Sequence, residues 1–365
     1  MNDMTPFQTT LKDWETDQEV RWCPGCGDYA ILKAVQRTLP QIGANPATTV
    51  FISGIGCSSR FPYYMESYGF HTIHGRAPAV ATGVKLANPE LDIWLVTGDG
   101  DGLSIGGNHL MHVLRRNVNM QIMLFNNEIY GLTKGQSSPT SREGTKSPST
   151  PLGSYDHPAR PAAFALGSGA RFVGRGFDVS KNLPEVLKAA HAHQGAAFIE
   201  IFQNCVVYNK DVFDDFAQPK GAEDRQLWLQ DGEPMLFGSD KSPGGMQGIA
   251  LDRDRLRLMV VPVVDGDWQS AGVLVHDVTN RSIAHMLVEM PFGPFPMALG
   301  VLYDDPMPTF EAAVALEREQ ASAGKDANLA KLLGKGQSWT VEGNGPEPFD
   351  SRPPGQGAPD AADPR

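Results

Sequence analysis

Three features that would place a chain of this size in other protein classes are scarce in this sequence. The 365 residues include only four cysteines, too few for a disulfide framework. Acidic residues outnumber basic ones by 42 to 31, and the net charge of −11 argues against a nucleic-acid-binding surface. No apolar run approaches the ~20 residues of a membrane span, and the N-terminal residues lack a basic segment followed by an apolar one. We therefore expect a soluble, cytoplasmic protein that binds neither nucleic acid nor membranes and has small molecules or proteins as partners.

Short apolar, β-branched runs alternate with helix-like stretches between about residues 47 and 203. This alternation is typical of βαβ units around a parallel sheet and predicts a doubly wound α/β fold. Helical spacing of apolar residues, as at Leu103, Leu110 and Leu114, gives the predicted helices an inward face. The predicted strands are Thr48–Ser53, Asp92–Thr97, Met120–Asn126 and Ala197–Gln203, and the predicted helices are Ala77–Leu86, Ser104–Arg116 and Leu183–His193.

The alternation is lost after Cys205, where we expect irregular structure, a strand at Leu256–Val264 and a helix at Thr309–Ala321. The segment Gly135–Ser154 is rich in Ser, Thr, Pro and Gly and predicts a long exposed loop. The predicted organisation is an N-terminal arm (1–20), a ligand-binding domain (21–225), a C-terminal extension (226–335) and a Pro- and Gly-rich disordered tail (336–365).

A glycine- and aspartate-rich segment follows the second predicted strand. It reads Gly98-Asp99-Gly100-Asp101-Gly102 and precedes a predicted helix. In an open α/β sheet, ligands bind at the carboxyl ends of strands, where glycines let the backbone approach a pyrophosphate and the helix N-terminus receives its charge. The segment therefore predicts a pyrophosphate site.

A carboxylate beside a phosphate site usually holds a cation, and Mg²⁺ prefers oxygen ligands. Asp99 can supply the carboxylate. One helix and one strand later the chain returns to the same sheet edge at Asn127, whose side-chain oxygen would bind the metal together with the Ile129 carbonyl. The alternative, a glycine-rich turn followed by an asparagine-rich loop, explains neither the repeated aspartates nor their position at a strand end. The arrangement resembles the thiamine-diphosphate signature of transketolase-like and decarboxylase-like enzymes.

The cysteines are placed where they could converge. Cys23 and Cys26 form a Cys-x-x-Cys loop ahead of an apparent helix, and Cys57 and Cys205 directly follow the first and last predicted strands. Four convergent thiolates can hold a four-iron four-sulfur cluster or a structural zinc ion. A thioredoxin-like dithiol would leave two cysteines without a role, and buried free thiols are the remaining alternative.

Several long motifs between Arg21 and Asn209 resemble those of the β subunits of 2-oxoacid:ferredoxin oxidoreductases. They are WCPGCG, GIGCSSR, HGRA, GDGDGLSIGGNHLMHVLRRN and NNEIYGLTKGQ. The resemblance implies thiamine diphosphate, Mg²⁺ and one four-iron four-sulfur (4Fe-4S) cluster as cofactors. By this resemblance the cluster ligands are Cys23, Cys26, Cys57 and Cys205; the Mg²⁺ ligands are Asp99, Asn127 and Ile129; and the thiamine diphosphate contacts are Ile55, Gly56, Cys57, Ser58, His74, Gly100, Asp101, Gly131 and Leu132.

Other polar residues carry weaker signals. Arg60 and Lys134 adjoin these motifs and are candidates for binding the anionic substrate or coenzyme A (CoA), although a solvated surface role fits them equally well. His109 and His112 share a helical stretch without a third ligand, which favours ordinary packing over metal binding.

The resemblance implies CoA-dependent oxidative decarboxylation of a 2-oxoacid with reduction of ferredoxin, and the reverse reaction at the same site. It also implies an α subunit, in an α2β2 assembly, that carries the second thiamine-binding domain and the activating glutamate; no catalytic residue is assigned on this chain. The segment after Cys205 is most similar to subunits acting on 2-oxoglutarate, with pyruvate or branched-chain 2-oxoacids as alternatives. A non-redox thiamine enzyme and an iron–sulfur electron-transfer protein without thiamine are the alternatives from other classes.

Overall fold

The computed structural model describes residues 8–323 and 328–336. The predicted tail lies outside them, apart from Gly336. The chain divides into one compact unit that ends at Leu316 and a second that begins at Glu317. The strands are β1 (Thr49–Ser53), β2 (Tyr68–His71), β3 (Asp92–Gly98), β4 (Met120–Asn126), β5 (Phe172–Phe177), β6 (Ala196–Phe202), β7 (Gln226–Leu229), β8 (Leu236–Phe237), β9 (Gln247–Asp252), β10 (Arg257–Pro262) and β11 (Met297–Asp304).

The helices flank these strands in the chain. None of those in the described ranges is both long and apolar enough to cross a membrane. The helices are α1 (Asp28–Gln41), α2 (Ala77–Ala87), α3 (Asp99–Leu103), α4 (Gly107–Arg115), α5 (Pro161–Gly167), α6 (Leu183–Ala192), α7 (Asp214–Ala217), α8 (Ala222–Arg225), α9 (Arg281–Glu289), α10 (Phe310–Ser322) and α11 (Leu329–Leu333), with 3-10 turns at Leu11–Trp14 and Ser58–Tyr64.

An eight-stranded sheet forms the centre of the first unit, in the order β2-β1-β3-β4-β6-β5-β11-β7. All neighbouring strands are parallel except β11 and β5, which are antiparallel. A small antiparallel sheet, β10-β9-β8, lies outside it. The predicted α/β, doubly wound, mostly parallel fold is therefore confirmed, and the region after residue 225 adds β7 and β11 to the same sheet.

The central strands of the sheet are buried on both faces, which explains why they are mostly apolar. Every residue of β4 is buried. Because side chains alternate between the two faces of a strand, Ile122 and Leu124 pack in one core with α2 and α4, whereas Met123 and Phe125 pack in a second core with α1 and α6. These two cores hold the strands, and hence the loops at their ends, in place.

The predicted strands lie within one residue of β1, β3, β4 and β6. The C-terminal strand and helix predictions correspond to β10 and α10. Two strands of the first 200 residues, β2 and β5, were missed. β2 is short and exposed along its length, and β5 contains two glycines and an arginine, so neither has the apolar alternation of a typical strand.

The predicted helix at Ser104–Arg116 begins later, at Gly107, because the chain bends between α3 and α4. Gly106 lies at this bend, where a Cβ atom would come within 2.4 Å of the Asp101 carbonyl oxygen. The prediction that Gly135–Ser154 is an exposed loop was wrong in part. The segment is a loop, but Ser138, Thr140 and Ser141 within it are buried.

Candidate active site

Four neighbouring strands bring the predicted site residues to one edge of the sheet. Strands β1, β3, β4 and β6 are adjacent and mutually parallel, so their carboxyl ends lie side by side. Each end continues into a segment that carries predicted ligands. The fold therefore gathers residues that are far apart in the sequence, as expected for an open α/β sheet.

A cavity of about 170 Å³ lies at this edge. It is lined by all nine residues predicted to contact thiamine diphosphate and by the three predicted Mg²⁺ ligands. Four further lining residues, which the sequence did not single out, are Gly98, Phe125, Tyr130 and Thr133. We call this cavity the cofactor cavity.

Asp99 is the buried carboxylate of the cofactor cavity, with 3% of its surface exposed. Its Oδ2 atom accepts hydrogen bonds from Ser138 Oγ at 2.5 Å and Thr140 Oγ1 at 2.6 Å. Burial raises the pKa of Asp99 to about 6, and the two hydroxyl groups partly oppose this shift. A bound cation would stabilise the ionised form of this carboxylate.

Asn127 lies directly after β4, at a turn where Glu128 has a positive φ of 56°. Its Oδ1 accepts a hydrogen bond from the Ile129 backbone N–H at 3.2 Å, and Asn209 Nδ2 donates to its carbonyl oxygen at 2.9 Å. The turn brings Asn127 and Ile129 to the cavity that Asp99 also lines. A carboxylate, a side-chain carbonyl and a backbone carbonyl are oxygen donors suited to Mg²⁺, so the residues fit this ion.

Asp101 binds neighbouring loops within the protein. Its Oδ1 accepts hydrogen bonds from His74 Nδ1 at 2.6 Å, Ile55 N at 3.0 Å and Gly75 N at 2.7 Å. Its Oδ2 accepts one from Thr97 Oγ1 at 2.6 Å. Asp101 thus connects the segments after β1 and β2 to the start of α3.

Gly100 is required by a close approach at the wall of the cofactor cavity. A Cβ atom there would lie 2.1 Å from Tyr130 Cε1. The Tyr130 hydroxyl also donates a hydrogen bond to the Gly100 carbonyl oxygen at 3.1 Å. Tyr130 therefore packs over the glycine-rich turn and closes one side of the cavity.

A second cavity of about 240 Å³, the cysteine cavity, is lined by all four cysteines. Cys23 and Cys26 reach it from the loop before α1, in which Cys26 N donates to the Cys23 carbonyl oxygen at 3.0 Å. Cys57 and Cys205 reach it from the ends of β1 and β6. Its wall is shared with the cofactor cavity through Cys57, Asn127, Gly131 and Leu132.

Gly131 separates the two cavities. A Cβ atom on it would lie 3.6 Å from Cys205 Sγ and 3.7 Å from Cys57 Sγ. A side chain at this position would therefore occupy the space between the two thiols. The glycine leaves that space open to a group held by the cysteines.

Two of the four thiols, those of Cys26 and Cys57, favour the protonated form. Burial raises the pKa of Cys57 to about 12 and also raises that of Cys26, and the carboxylate of Asp28 adds to both shifts. Metal binding would therefore release protons from this site. Among residues 8–323 and 328–336, no group of three or more His, Cys, Asp or Glu side chains converges as the ligand set of a single metal ion.

Gln203 contacts residues of both cavities, which the sequence did not suggest. It is buried, accepts a hydrogen bond from Asn127 Nδ2 at 2.8 Å and directs its Nε2 at Cys26 Sγ at 3.2 Å. Its position directly after β6 was the available signal. A single glutamine there forms no recognisable motif.

The remaining predicted residues are also located. Arg60 and Lys134 line the cysteine cavity and are absent from the lining of the cofactor cavity. His109 contacts Arg76. The packing role expected for His109 and His112 therefore stays a prediction.

The mostly parallel sheet has the fold of a thiamine-diphosphate enzyme domain. The family described as "Thiamine pyrophosphate enzyme, C-terminal TPP binding domain" matches residues 54–201, which span β3, β4 and the glycine-rich turn.

More specific similarities extend over most of the chain. It is 46% identical over 342 residues to 2-oxoglutarate oxidoreductase subunit KorB of Mycobacterium tuberculosis, covering 91% of this chain and 88% of that protein. It is 48% identical over 200 residues to the β subunit of 2-oxoacid:ferredoxin oxidoreductase 1 of Aeropyrum pernix, covering 54% and 63%. A solved structure of 2-oxoglutarate:ferredoxin oxidoreductase from Magnetococcus marinus, with 2-oxoglutarate, CoA and succinyl-CoA bound, matches with a TM-score of 0.71 at 33% identity, covering 90% and 97%.

The chain belongs to the family of 2-oxoacid:ferredoxin oxidoreductase β subunits. The relatives are named as subunits of oxidoreductases, so this chain is one subunit of such an enzyme.

Proposed function

We propose that this chain holds thiamine diphosphate with Mg²⁺ in the cofactor cavity and one 4Fe-4S cluster in the cysteine cavity. With an α subunit it carries out the reversible, CoA-dependent oxidative decarboxylation of 2-oxoglutarate to succinyl-CoA, and ferredoxin accepts the electrons. The observation that carries the proposal is the common wall of the two cavities. Groups bound on its two sides would be close enough for direct electron transfer.

The chemistry of the donor groups supports thiamine diphosphate with Mg²⁺. The cofactor cavity is lined by a buried carboxylate, Asp99, at the end of a parallel strand, and by Asn127 and Ile129, which can supply further oxygen donors. The glycine-rich turn begins α3 at the end of β3, and backbone N–H groups at a helix N-terminus suit a pyrophosphate. Bound thiamine diphosphate would supply the carbanion that attacks the 2-oxo carbon and the electron sink for decarboxylation.

The arrangement of the thiols favours a cluster over zinc. Zinc needs its thiolates about 2.3 Å from one ion. The four thiols instead surround a cavity of about 240 Å³, and in the part of the chain that the structure describes they form no close single-ion group. A four-iron cluster has its cysteines on different iron atoms and so needs a wider set of ligands.

The residues around the cofactor cavity would position the reacting groups. Asp101 holds His74 by its Nδ1 atom, and His74 Nε2 has no hydrogen-bond partner among the described residues, so it can serve a group bound in the cavity that His74 lines. Arg60 and Lys134 supply positive charge at the neighbouring cysteine cavity. We propose that these two cations bind the substrate carboxylate or the CoA phosphates.

Two relatives support 2-oxoglutarate as the substrate. The mycobacterial protein is named a 2-oxoglutarate oxidoreductase subunit, and its similarity covers 91% of this chain. The Magnetococcus enzyme was solved with 2-oxoglutarate and succinyl-CoA bound. Pyruvate and branched-chain 2-oxoacids are the alternative substrates, since the archaeal relative is named only for 2-oxoacids.

An exposed sheet edge supports a partner subunit close to the cofactor cavity. β2 is the edge strand on this side, and all four of its residues are exposed, including Tyr68 and Phe70. Unpaired edge strands with apolar side chains are usually covered. We propose that the α subunit covers this edge, adds the second thiamine-binding domain with its activating glutamate, and completes an α2β2 enzyme.

Co-expression with and without the α subunit tests this function. The complex should reduce ferredoxin in the presence of 2-oxoglutarate and CoA, with a higher kcat/KM for 2-oxoglutarate than for pyruvate. The isolated chain should retain iron without this activity. Ferredoxin reduction by the isolated chain would contradict the two-subunit proposal, and a preference for pyruvate would contradict the substrate alone.

A further inference from the structure

Gln203 is the one side chain in the described part of the protein whose amide joins an Asn127 amide to a cysteine thiol. It lies directly after β6 with 1% of its surface exposed. Its backbone N–H donates to the Asn126 carbonyl oxygen at 2.9 Å, which holds the residue against the end of β4. From there its side chain reaches residues of both cavities.

The orientation of the Gln203 amide follows from its three partners. Oε1 accepts a hydrogen bond from Asn127 Nδ2 at 2.8 Å. Nε2 donates to the Asn204 carbonyl oxygen at 2.7 Å and to Cys26 Sγ at 3.2 Å. Rotating the amide by half a turn would bring its oxygen against two acceptors. The N–H group therefore faces the sulfur.

We infer that Gln203 is a positioning residue that sets the reduction potential of the cluster and at the same time fixes the metal ligand Asn127. The inference rests on the proposed function. An N–H group directed at a cysteine sulfur stabilises the more negative, reduced cluster, and so raises its reduction potential. The Oε1 contact holds Asn127 Nδ2, which leaves Asn127 Oδ1 for the metal.

The test uses the Gln203→Met variant of the complex co-expressed with the α subunit and purified without oxygen. Methionine keeps the length and shape of glutamine but has no N–H donor. We measure iron content, the midpoint potential of the cluster by redox titration followed by electron paramagnetic resonance, and the Mg²⁺ concentration needed for half-maximal thiamine diphosphate binding.

The variant should retain iron, have a more negative midpoint potential than the wild type, and need about three- to tenfold more Mg²⁺, as for the loss of one buried hydrogen bond. Gln36→Met is the matched control. Gln36 is also buried and donates to the Trp14 and Tyr64 carbonyl oxygens, away from both cavities. It should alter stability but neither the potential nor the Mg²⁺ requirement.

An unchanged midpoint potential in iron-replete Gln203→Met would overturn the inference. If that variant loses iron, Gln203→Leu decides, because leucine has neither an N–H donor nor a sulfur atom: iron retained with a more negative potential supports the inference, and an unchanged potential overturns it. Loss of iron from both variants also overturns it, since Gln203 would then serve cluster assembly. A wild-type complex without iron would instead refute the proposed function.

Discussion

His74 Nδ1 lies 2.6 Å from Asp101 Oδ1, and the same oxygen accepts the backbone N–H groups of Ile55 and Gly75. One buried carboxylate therefore connects the loops that follow two adjacent parallel strands. The glycine-rich turn has two aspartates with different tasks. Asp101 organises the wall of the cofactor cavity, whereas Asp99 faces the space where the metal would lie.

Asp101→Asn should lower the free energy of unfolding by about 1.5–3 kcal/mol, because hydrogen bonds from four donors would lose a charged acceptor in a buried site. Urea unfolding of the purified chain measures this. The control is Asp13→Asn, since Asp13 also accepts hydrogen bonds, from Thr10, but is exposed. Its effect should be much smaller. Equal effects in the two variants would contradict the role given to Asp101.

Thr140→Val should weaken thiamine diphosphate binding at fixed Mg²⁺ by roughly tenfold or more, because Asp99 would lose a hydroxyl donor to its carboxylate while the shape of the side chain is kept. Isothermal titration calorimetry measures the change. The control is Thr145→Val. Thr145 lies in the same loop, and its hydroxyl group makes no hydrogen bond among the described residues. The control variant should bind thiamine diphosphate like the wild type. Equal affinities for all three proteins would show that the loop does not act on Asp99.

His276 makes the stability of the fold depend on pH. It is buried, its Nε2 donates to the Val301 carbonyl oxygen at 2.8 Å, and its Nδ1 has no partner in the described residues. Burial lowers the pKa of His276 below its usual 6.5. The unfolded chain therefore binds a proton at His276 more readily than the folded protein does. The stability that comes from keeping His276 neutral is present above pH 6.5 and is lost as the pH falls below that value.

His276→Gln should remove the part of the fall in unfolding free energy below pH 6.5 that is due to His276. This part can reach about 1.4 kcal/mol per pH unit. Unfolding free energies measured between pH 5 and 7.5 give the slope. His157→Gln, a change at an exposed histidine, should leave the slope unchanged. A slope in His276→Gln identical to that of the wild type would assign the pH dependence to other groups.

Sequence patterns predicted the parts of the fold that depend on local composition. The run at Met120–Asn126 is found with the same bounds as β4 because a strand buried on both faces is mostly apolar. β5 was missed because it contains a charged residue, Arg175. The cost of burying the Arg175 side chain is offset by an ion pair with Glu200 on β6, at 2.9 Å. Such a pairing arises only when the sheet forms.

The candidate site was also predicted where it depends on the sequence pattern and missed where it depends on contacts between distant residues. The rule that loops at the carboxyl ends of parallel strands converge was enough to predict that Asp99, Asn127, Cys57 and Cys205 lie close together. Ser138, Thr140 and Gln203 act through contacts with residues distant in sequence. Serine and threonine in a Pro- and Gly-rich segment indicate a solvated loop, and nothing in the composition reveals that two of them donate to a buried carboxylate.

The central claim is that two adjacent cavities hold thiamine diphosphate and a 4Fe-4S cluster. Iron and thiamine analysis of the anaerobically purified complex with the α subunit tests it most directly, with Cys205→Ser as the matched variant. We predict about four iron atoms and one thiamine diphosphate per wild-type chain. In Cys205→Ser the iron and its brown absorption should be lost while thiamine diphosphate remains. Stoichiometric zinc in the wild type, or full iron content in Cys205→Ser, would contradict the account.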